Sequence, residues 1–250
     1  MAIRWLTAFI DMPSERFAAG CSFWQEVTAT TLSAPRGTSG EFATLVPAEG
    51  DAYLRAQRLE TGSPGCHLDL HVDDVTGTRE LAASLGATPL APPAHRSPGD
   101  FTFCIVAHEH EVDRPPPLTW PGGHLSLVDQ LCLDIPPLLF EREAAFWTAL
   151  TGWQRRAGSR PEFEYLVRPS QIPLRLLLQR LDDHETGPCR AHLDLASDNV
   201  PAEQRRHEGL GANTVRTMPN WTTLLDPAGS QYCVTRRDPV TGVLPYMISK

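Results

Sequence analysis

The sequence predicts an α+β fold in which one strand–helix–strands unit is used four times. Three observations predict it: an internal repeat, a helical spacing of apolar residues that recurs in both copies, and alternating strand patterns at matching places. The repeat is gapless over its first block. FIDMPSERFAAGCSFWQEVT (9–28) lies on CLDIPPLLFEREAAFWTALT (132–151) at an offset of 123, pairing Asp11 with Asp134, Pro13 with Pro136, Phe17 with Phe140 and Phe23-Trp24 with Phe146-Trp147. EFATLV (41–46) then lies on EFEYLV (162–167), Gln57-Arg58-Leu59 on Gln179-Arg180-Leu181, His67-Leu-Asp-Leu on His192-Leu-Asp-Leu, and Leu85-Gly86-Ala87 on Leu210-Gly211-Ala212. The offset stays between 121 and 125 across these blocks, so the order and spacing of every element are retained in two homologous halves.

Taken in order, each half opens with a short apolar strand (5–10; 127–135) that runs into a proline. A helix follows, with apolar residues at Phe17, Cys21, Trp24 and Val27 and, in the second copy, at Phe140, Ala144, Trp147 and Leu150. That spacing makes one apolar stripe, which assigns these side chains to a helix-to-sheet core. Short strands come next, including 52–59 and 174–181, and the HLDL strand starts a second strand–helix pass. Asp73-Asp74 and Asp198-Asn199 supply the oxygens that cap free N–H groups at a helix start, and Pro201 suits a first turn. Gly86 and Gly211 stand where a left-handed helix end is wanted. WTTLLDPAGSQYCVTR (221–236) reads as strand, Asp-Pro-Ala-Gly turn, strand. Between the halves, EVDRPPPLTWPGGH has the proline and glycine content of an extended connector. The expected organisation is a first domain over 1–112, a connector over 113–123, a second domain over 124–238 and a tail over 239–250.

The formal charge is −8, from 22 basic and 30 acidic side chains, with no run of lysines or arginines to track phosphates, so no nucleic-acid partner is expected. The N-terminal apolar run is short and broken by Asp11, unlike a signal peptide. No stretch reaches the roughly 18 apolar residues of a membrane span. A cytoplasmic protein without a membrane partner, monomeric or homodimeric, is expected. The six cysteines (21, 66, 104, 132, 189 and 233) form no CxxC pair and read as buried reduced thiols. His108 and His110 in AHEHEVD lack the HExxH arrangement and read as a solvated loop, and there is no GxSxG and no phosphate-cradling glycine loop.

LCLDIP followed by AAFWTALTGW, then AHLDLASDN, LGA and LLDPAGSQYCV, resembles the vicinal oxygen chelate superfamily, in its glyoxalase/bleomycin-resistance-like branch. The resemblance covers residues 3–236. It implies four βαβββ modules forming two glyoxalase-like open-barrel domains, each a cup. The superfamily includes glyoxalases, extradiol dioxygenases, epimerases, fosfomycin-modifying enzymes and metal-free proteins that sequester drugs, and fold alone does not choose among them. Its metal-using members take His or Gln, a further His, and Glu from the first and last strands of paired modules. Onto those positions fall Gln130, Gln179, His192 and, in place of the final Glu, Cys233; in the first half they are Thr7, Gln57, His67 and Cys104. Whether modules pair within or across halves is open at this level.

A divalent ion that polarises vicinal oxygens needs anionic ligands, and an amide contributes no net charge. The expectation is therefore a protein without a metal cofactor. The alternative is one divalent metal in the second domain on Gln130, Gln179, His192 and Cys233. In HLDLHVDDV, strand alternation puts His67, Asp69 and His71 on one face, joined by Trp5, Thr7 and Phe9, and Leu68 and Leu70 on the other. The expected small-molecule-binding set is Trp5, Thr7, Gln57, His67, Asp69, His71, Gln130, Gln179, His192 and Trp221, with His67 and His192 as candidate catalytic groups. A filled barrel in which His67 and Asp69 only satisfy each other is equally compatible with the pattern. The function expected is metal-independent small-molecule binding, for resistance, sequestration or acid–base catalysis through a cup histidine. The alternative is a metal-dependent lyase or dioxygenase with its site in domain 2.

Overall fold

A computed structural model describes residues 2–245. The first half begins with β1 (Ile3–Pro13), α1 (Phe17–Thr28), β2 (Thr31–Leu32), β3 (Phe42–Val46) and β4 (Leu54–Leu59). Its second pass is β5 (Gly65–Val72), α2 (Val75–Ser84), β6 (Thr88–Pro89), β7 (Ala94–Arg96) and β8 (Thr102–Ala107). A short β9 (Leu118–Thr119) precedes β10 (Leu125–Ile135), α3 (Phe140–Thr151), β11 (Gln154–Ala157), β12 (Phe163–Val167) and β13 (Arg175–Arg180). The last pass is β14 (Arg190–Ser197), α4 (Val200–Gly209), β15 (Asn213–Met218), β16 (Trp221–Leu225) and β17 (Gln231–Thr235). The four βαβββ modules are present in the expected order.

The strands form two open sheets, ordered β2-β3-β4-β1-β5-β8-β7-β6 and β11-β12-β13-β10-β14-β17-β16-β15. Both modules of a half therefore share one sheet, with β1 beside β5 and β10 beside β14. The parallel pairs β5–β8 and β14–β17 need a crossover, which α2 and α4 supply. The registers of these pairs match: Asp69 lies opposite Cys104, and Asp194 opposite Cys233.

Capping follows the local sequence. Asp74 accepts from the Gly77 amide and Asn199 from the Ala202 amide, with Pro201 in the first turn of α4. Gly86 and Gly211 follow α2 and α4 at φ +97° and +105°, backbone that a side chain would strain. Cys21, Trp24 and Val27 are buried in α1, and Phe140, Ala144, Trp147 and Leu150 in α3, as the apolar spacing predicts.

Two expectations need correcting. The connector is not extended throughout: β9 pairs antiparallel with the start of β10, Thr119 opposite Leu125, through a turn in which the Gly123 amide donates to the Trp120 carbonyl. His108 is half-buried, its Nε2 2.9 Å from the Glu111 carbonyl, while His110 is exposed. In the tail, Asp238 Oδ1 accepts from the amides of Val240 and Thr241, and residues 246–250 lie outside the described ones.

The chain divides into two compact units. The first comprises residues through Phe9, Cys66–Asp113 and Leu131–Ala191; the second comprises Ile10–Gly65, Arg114–Gln130 and the chain from His192 on. In the first unit, the buried Glu143 accepts from Trp147 Nε1 at 2.8 Å and from the Gly99 amide at 2.7 Å. In the second, the buried Glu203 accepts from Ser126 Oγ at 2.7 Å and from Arg206 Nε at 2.9 Å, and lies 2.8 Å from His124 Nε2 and 3.1 Å from His207 Nε2. Arg206 also donates to the Glu26 and Val27 carbonyls at the end of α1 and lies 3.4 Å over the Trp120 ring. A carboxylate this fully engaged is a structural tie between α4, α1 and β10.

Candidate functional site

In the second unit, alternation along β14 turns His192 and Asp194 to one face and Leu193 and Leu195 to the other. The parallel register with β17 then puts Cys233 directly opposite Asp194. The result is a buried group in which ligand atoms of His192, Asp194 and Cys233 all lie within 4.8 Å of one another. His192 Nε2 is 3.3 Å from Asp194 Oδ1 and 3.6 Å from Cys233 Sγ. Gln130, on the neighbouring β10, donates its side-chain amide to Asp194 Oδ2. Thr223, opposite Cys233 on β16, has its hydroxyl 3.5 Å from the Cys233 sulfur.

Electrostatics distinguish these groups. Burial pushes the Asp194 carboxyl upward, but the hydrogen bond and charge of His192, the charge of Arg237 and the Gln130 amide outweigh it and hold Asp194 below the usual carboxylate range. Arg237 makes a buried bidentate pair with Asp129, both contacts at 2.6 Å. Burial raises Cys233 above an ordinary thiol, against a smaller opposing effect from His192.

The same donor set recurs in the first unit, where His67, Asp69 and Cys104 offer ligand atoms within 4.8 Å of one another. Its surroundings differ. His67 stacks on Phe9 with ring centroids 4.4 Å apart, and Thr7, which stands where the second half has Gln130, bonds His71 Nε2 at 2.9 Å. Strand alternation thus brings Thr7, Phe9, His67, Asp69 and His71 together as the sequence pattern predicts; Trp5 is buried in the same strand.

Strand pairings place the remaining expected site residues. Gln57 pairs with Phe42 across β3–β4, and Gln179 pairs with Phe163 across β12–β13. Gln179 Oε1 accepts from Cys132 Sγ at 3.5 Å. Trp221 is half-buried at the start of β16, opposite Met218 and Thr235.

The fit to a metal turns on the donor set. Asp69 and Asp194 place a carboxylate beside each cup histidine, from the same strand rather than from the last strand, where Cys stands in place of Glu. Gln130 takes Asp194 Oδ2, and the buried Oδ1 lies 3.3 Å from His192 Nε2, so one carboxylate oxygen and the imidazole nitrogen stand together as donor atoms. One imidazole nitrogen, one carboxylate oxygen and one thiol sulfur suit zinc or a similar borderline ion, and leave a position open. The signal in the sequence was the HxD alternation itself, read twice at an offset of 125.

A sequence model described as "Glyoxalase-like domain" matches residues 7–106 and 130–235. No curated protein matches the chain. Among solved structures, a variant of homoprotocatechuate 2,3-dioxygenase from B. fuscum is 13% identical with a TM-score of 0.65, covering 96% of this chain and 73% of that one. The 2,2',3-trihydroxybiphenyl 1,2-dioxygenase of Sphingomonas wittichii strain RW1 is 14% identical with a TM-score of 0.63, covering 97% and 93%. A triple mutant of 4-hydroxymandelate synthase from Streptomyces coelicolor is 14% identical with a TM-score of 0.59, covering 96% and 95%. At these identities the likeness is one of fold. Among the described residues no helix is long and apolar enough to cross a membrane. With both halves matched in sequence by that model, this protein belongs to the glyoxalase-like family of the vicinal oxygen chelate superfamily.

Proposed function

We propose that the protein is a metal-dependent enzyme of the lyase type, acting on a small molecule through its second-half site. The observation that carries this reading is the buried His192–Asp194–Cys233 group, whose ligand atoms all lie within 4.8 Å of one another. His192, Asp194 and Cys233 would hold the ion; Gln130 fixes the carboxylate orientation, and the Thr223 hydroxyl faces the sulfur. When bound, the ion supplies Lewis-acid polarisation of a substrate oxygen. The oxygen-activating iron sites of dioxygenases are characterised by two histidines and a carboxylate. Here one histidine is replaced by an amide and the carboxylate strand contributes a thiol, which favours non-redox chemistry over the dioxygenase alternative. Because folds of this kind host several chemistries, the substrate class is inferred from the superfamily: a small molecule with adjacent oxygen atoms.

Equilibrium dialysis against Zn²⁺ and Co²⁺ tests the reading. One tight site per chain is expected, lost in His192→Ala and retained in His67→Ala. The Co²⁺ form should carry a sulfur-to-metal absorption band that Cys233→Ser removes. Tight binding that survives His192→Ala, or no tight binding at all, would sink it.

A second reading keeps the site metal-free, with His192 as acid–base. It is favoured by the 3.3 Å approach of His192 Nε2 to Asp194 Oδ1 and by an Asp194 carboxyl held below its usual range, which would orient and charge the imidazole. Activity that persists after exhaustive chelation and disappears in Asp194→Asn would select it.

A further inference from the structure

The second unit contains a cavity of about 320 Å³ that the proposed metal group does not use. It is walled by Val27, Leu45, Leu54, Leu127 and Val128, with Tyr53 among the lining residues. Leu195 also lines it, between Asp194 and Ala196 in β14, so the cavity lies against the face of that strand opposite Asp194. Its volume falls at the lower end of the roughly 300–1,000 Å³ range of small-molecule sites.

The hydrogen-bond inventory of this cavity is one-sided. Tyr53 Oη donates its proton to the Val128 carbonyl at 2.6 Å. Ser126 Oγ donates to Glu203 and accepts from Trp120 Nε1. Thr28 Oγ1 donates to the Trp24 carbonyl, so the proton in its 2.9 Å contact with Thr30 Oγ1 belongs to Thr30. The remaining lining hydroxyl, Thr119, is exposed. Pro47, Pro115, Pro116 and Pro117 also line the cavity and have no backbone N–H to give. The interior hydroxyl protons are engaged, while lone pairs on the Tyr53 and Thr30 oxygens remain.

Interior side chains that accept but do not donate disfavour carboxylates, phosphates and acceptor-only ligands, which would lose their water hydrogen bonds without replacement from those groups. Charge narrows the choice further. Glu49 stands exposed among the lining residues. An anionic head group would meet Glu49, and a cationic one would give up its hydration against a largely apolar wall. We propose that this cavity is a second binding site, for a neutral apolar molecule carrying one hydrogen-bond donor, such as a small phenol or alcohol.

Saturation-transfer NMR with four matched probes tests it: 4-propylphenol, 4-propylanisole, 4-propylbenzoate and 4-propylbenzylamine. The phenol should bind at least tenfold more tightly than each of the others. Ala48→Trp, at an exposed lining position, should abolish the phenol signal, and Thr119→Trp should weaken it at least fivefold, with near-UV circular dichroism establishing that each variant is folded. If Ala48→Trp does not fold, Thr119→Trp alone carries the comparison. Phenol binding should persist in His192→Ala, which separates this site from the metal group. No phenol binding to the wild type, an anisole, benzoate or amine that binds as well, or phenol binding unchanged in the folded rim variants would each overturn the proposal.

Discussion

Under the proposed function, the chemistry of the second half depends on Asp194. It is the anionic oxygen of the group, and Gln130, the amide at a family ligand position, is spent on orienting it. Removing such a partner typically costs about 10–100-fold in metal affinity, so Gln130→Ala is expected to weaken Zn²⁺ binding by about that factor in a competition titration with a chromophoric chelator. Cys233 sets the pH dependence. Burial holds its proton on, and coordination requires that proton to leave, so affinity should rise with pH by about tenfold per unit for one proton released. A flat profile between pH 6 and 8 would mean that the sulfur is not a ligand.

At the level of elements, two buried carboxylates tie helices to their surroundings, each by a different device. Glu203 is shared by Ser126, Arg206 and two imidazoles, and Arg206 in turn closes the end of α1. Breaking a buried charged network from one side leaves its partners uncompensated, so Glu203→Gln should destabilise the chain by about 3–5 kcal/mol in urea unfolding. Glu143 instead receives the Gly99 amide, and no side chain fits there. A Cβ on Gly99 would lie 2.3 Å from Cys189 Sγ and 2.8 Å from Glu143 Oε2. Gly99→Ala should cost about 1–3 kcal/mol, and combining it with Cys189→Ala should recover part of that loss; if the double variant shows only the sum of the two single costs, the clash is not the cause.

For the whole molecule, the buried titratable groups pull in both directions as the pH falls. Burial lowers His207, and Glu203 and Asp194 are held below the usual carboxylate range by their partners. In each case the unfolded chain binds the proton more tightly, so the stability these groups contribute is present above their unfolded pKa and lost as the pH drops through the folded one. Glu143 and Asp226 are raised by burial and act in the opposite sense, contributing stability at low pH that is lost as the pH rises through their folded values. Glu203 and Asp194 act near and below about pH 4.5, while Glu143 and Asp226 act above it in the opposite sense, so a loss of stability as the pH falls through about 6.5 belongs to His207. In thermal melts between pH 7 and pH 5, His207→Gln should remove that loss, so its Tm relative to wild type should rise as the pH falls; a difference independent of pH over this window would contradict it. Much of this architecture is legible in the sequence. The two halves, the four strand–helix passes, the Asp74 and Asn199 caps and the apolar stripes of α1 and α3 all follow from the spacing of near neighbours, which sets the face each side chain occupies. So does the shared face of His67, Asp69 and His71. What the sequence did not disclose is which faces meet. The pairing of β14 with β17, and so of Asp194 with Cys233, joins residues separated by a helix and two strands. The spent hydroxyls of the second cavity are equally invisible in one dimension. By itself the sequence determined the modules and the shared face of His192 and Asp194, because periodicity is local; tertiary structure alone brought Cys233 to them, because register between distant strands is set by the packing of the whole sheet.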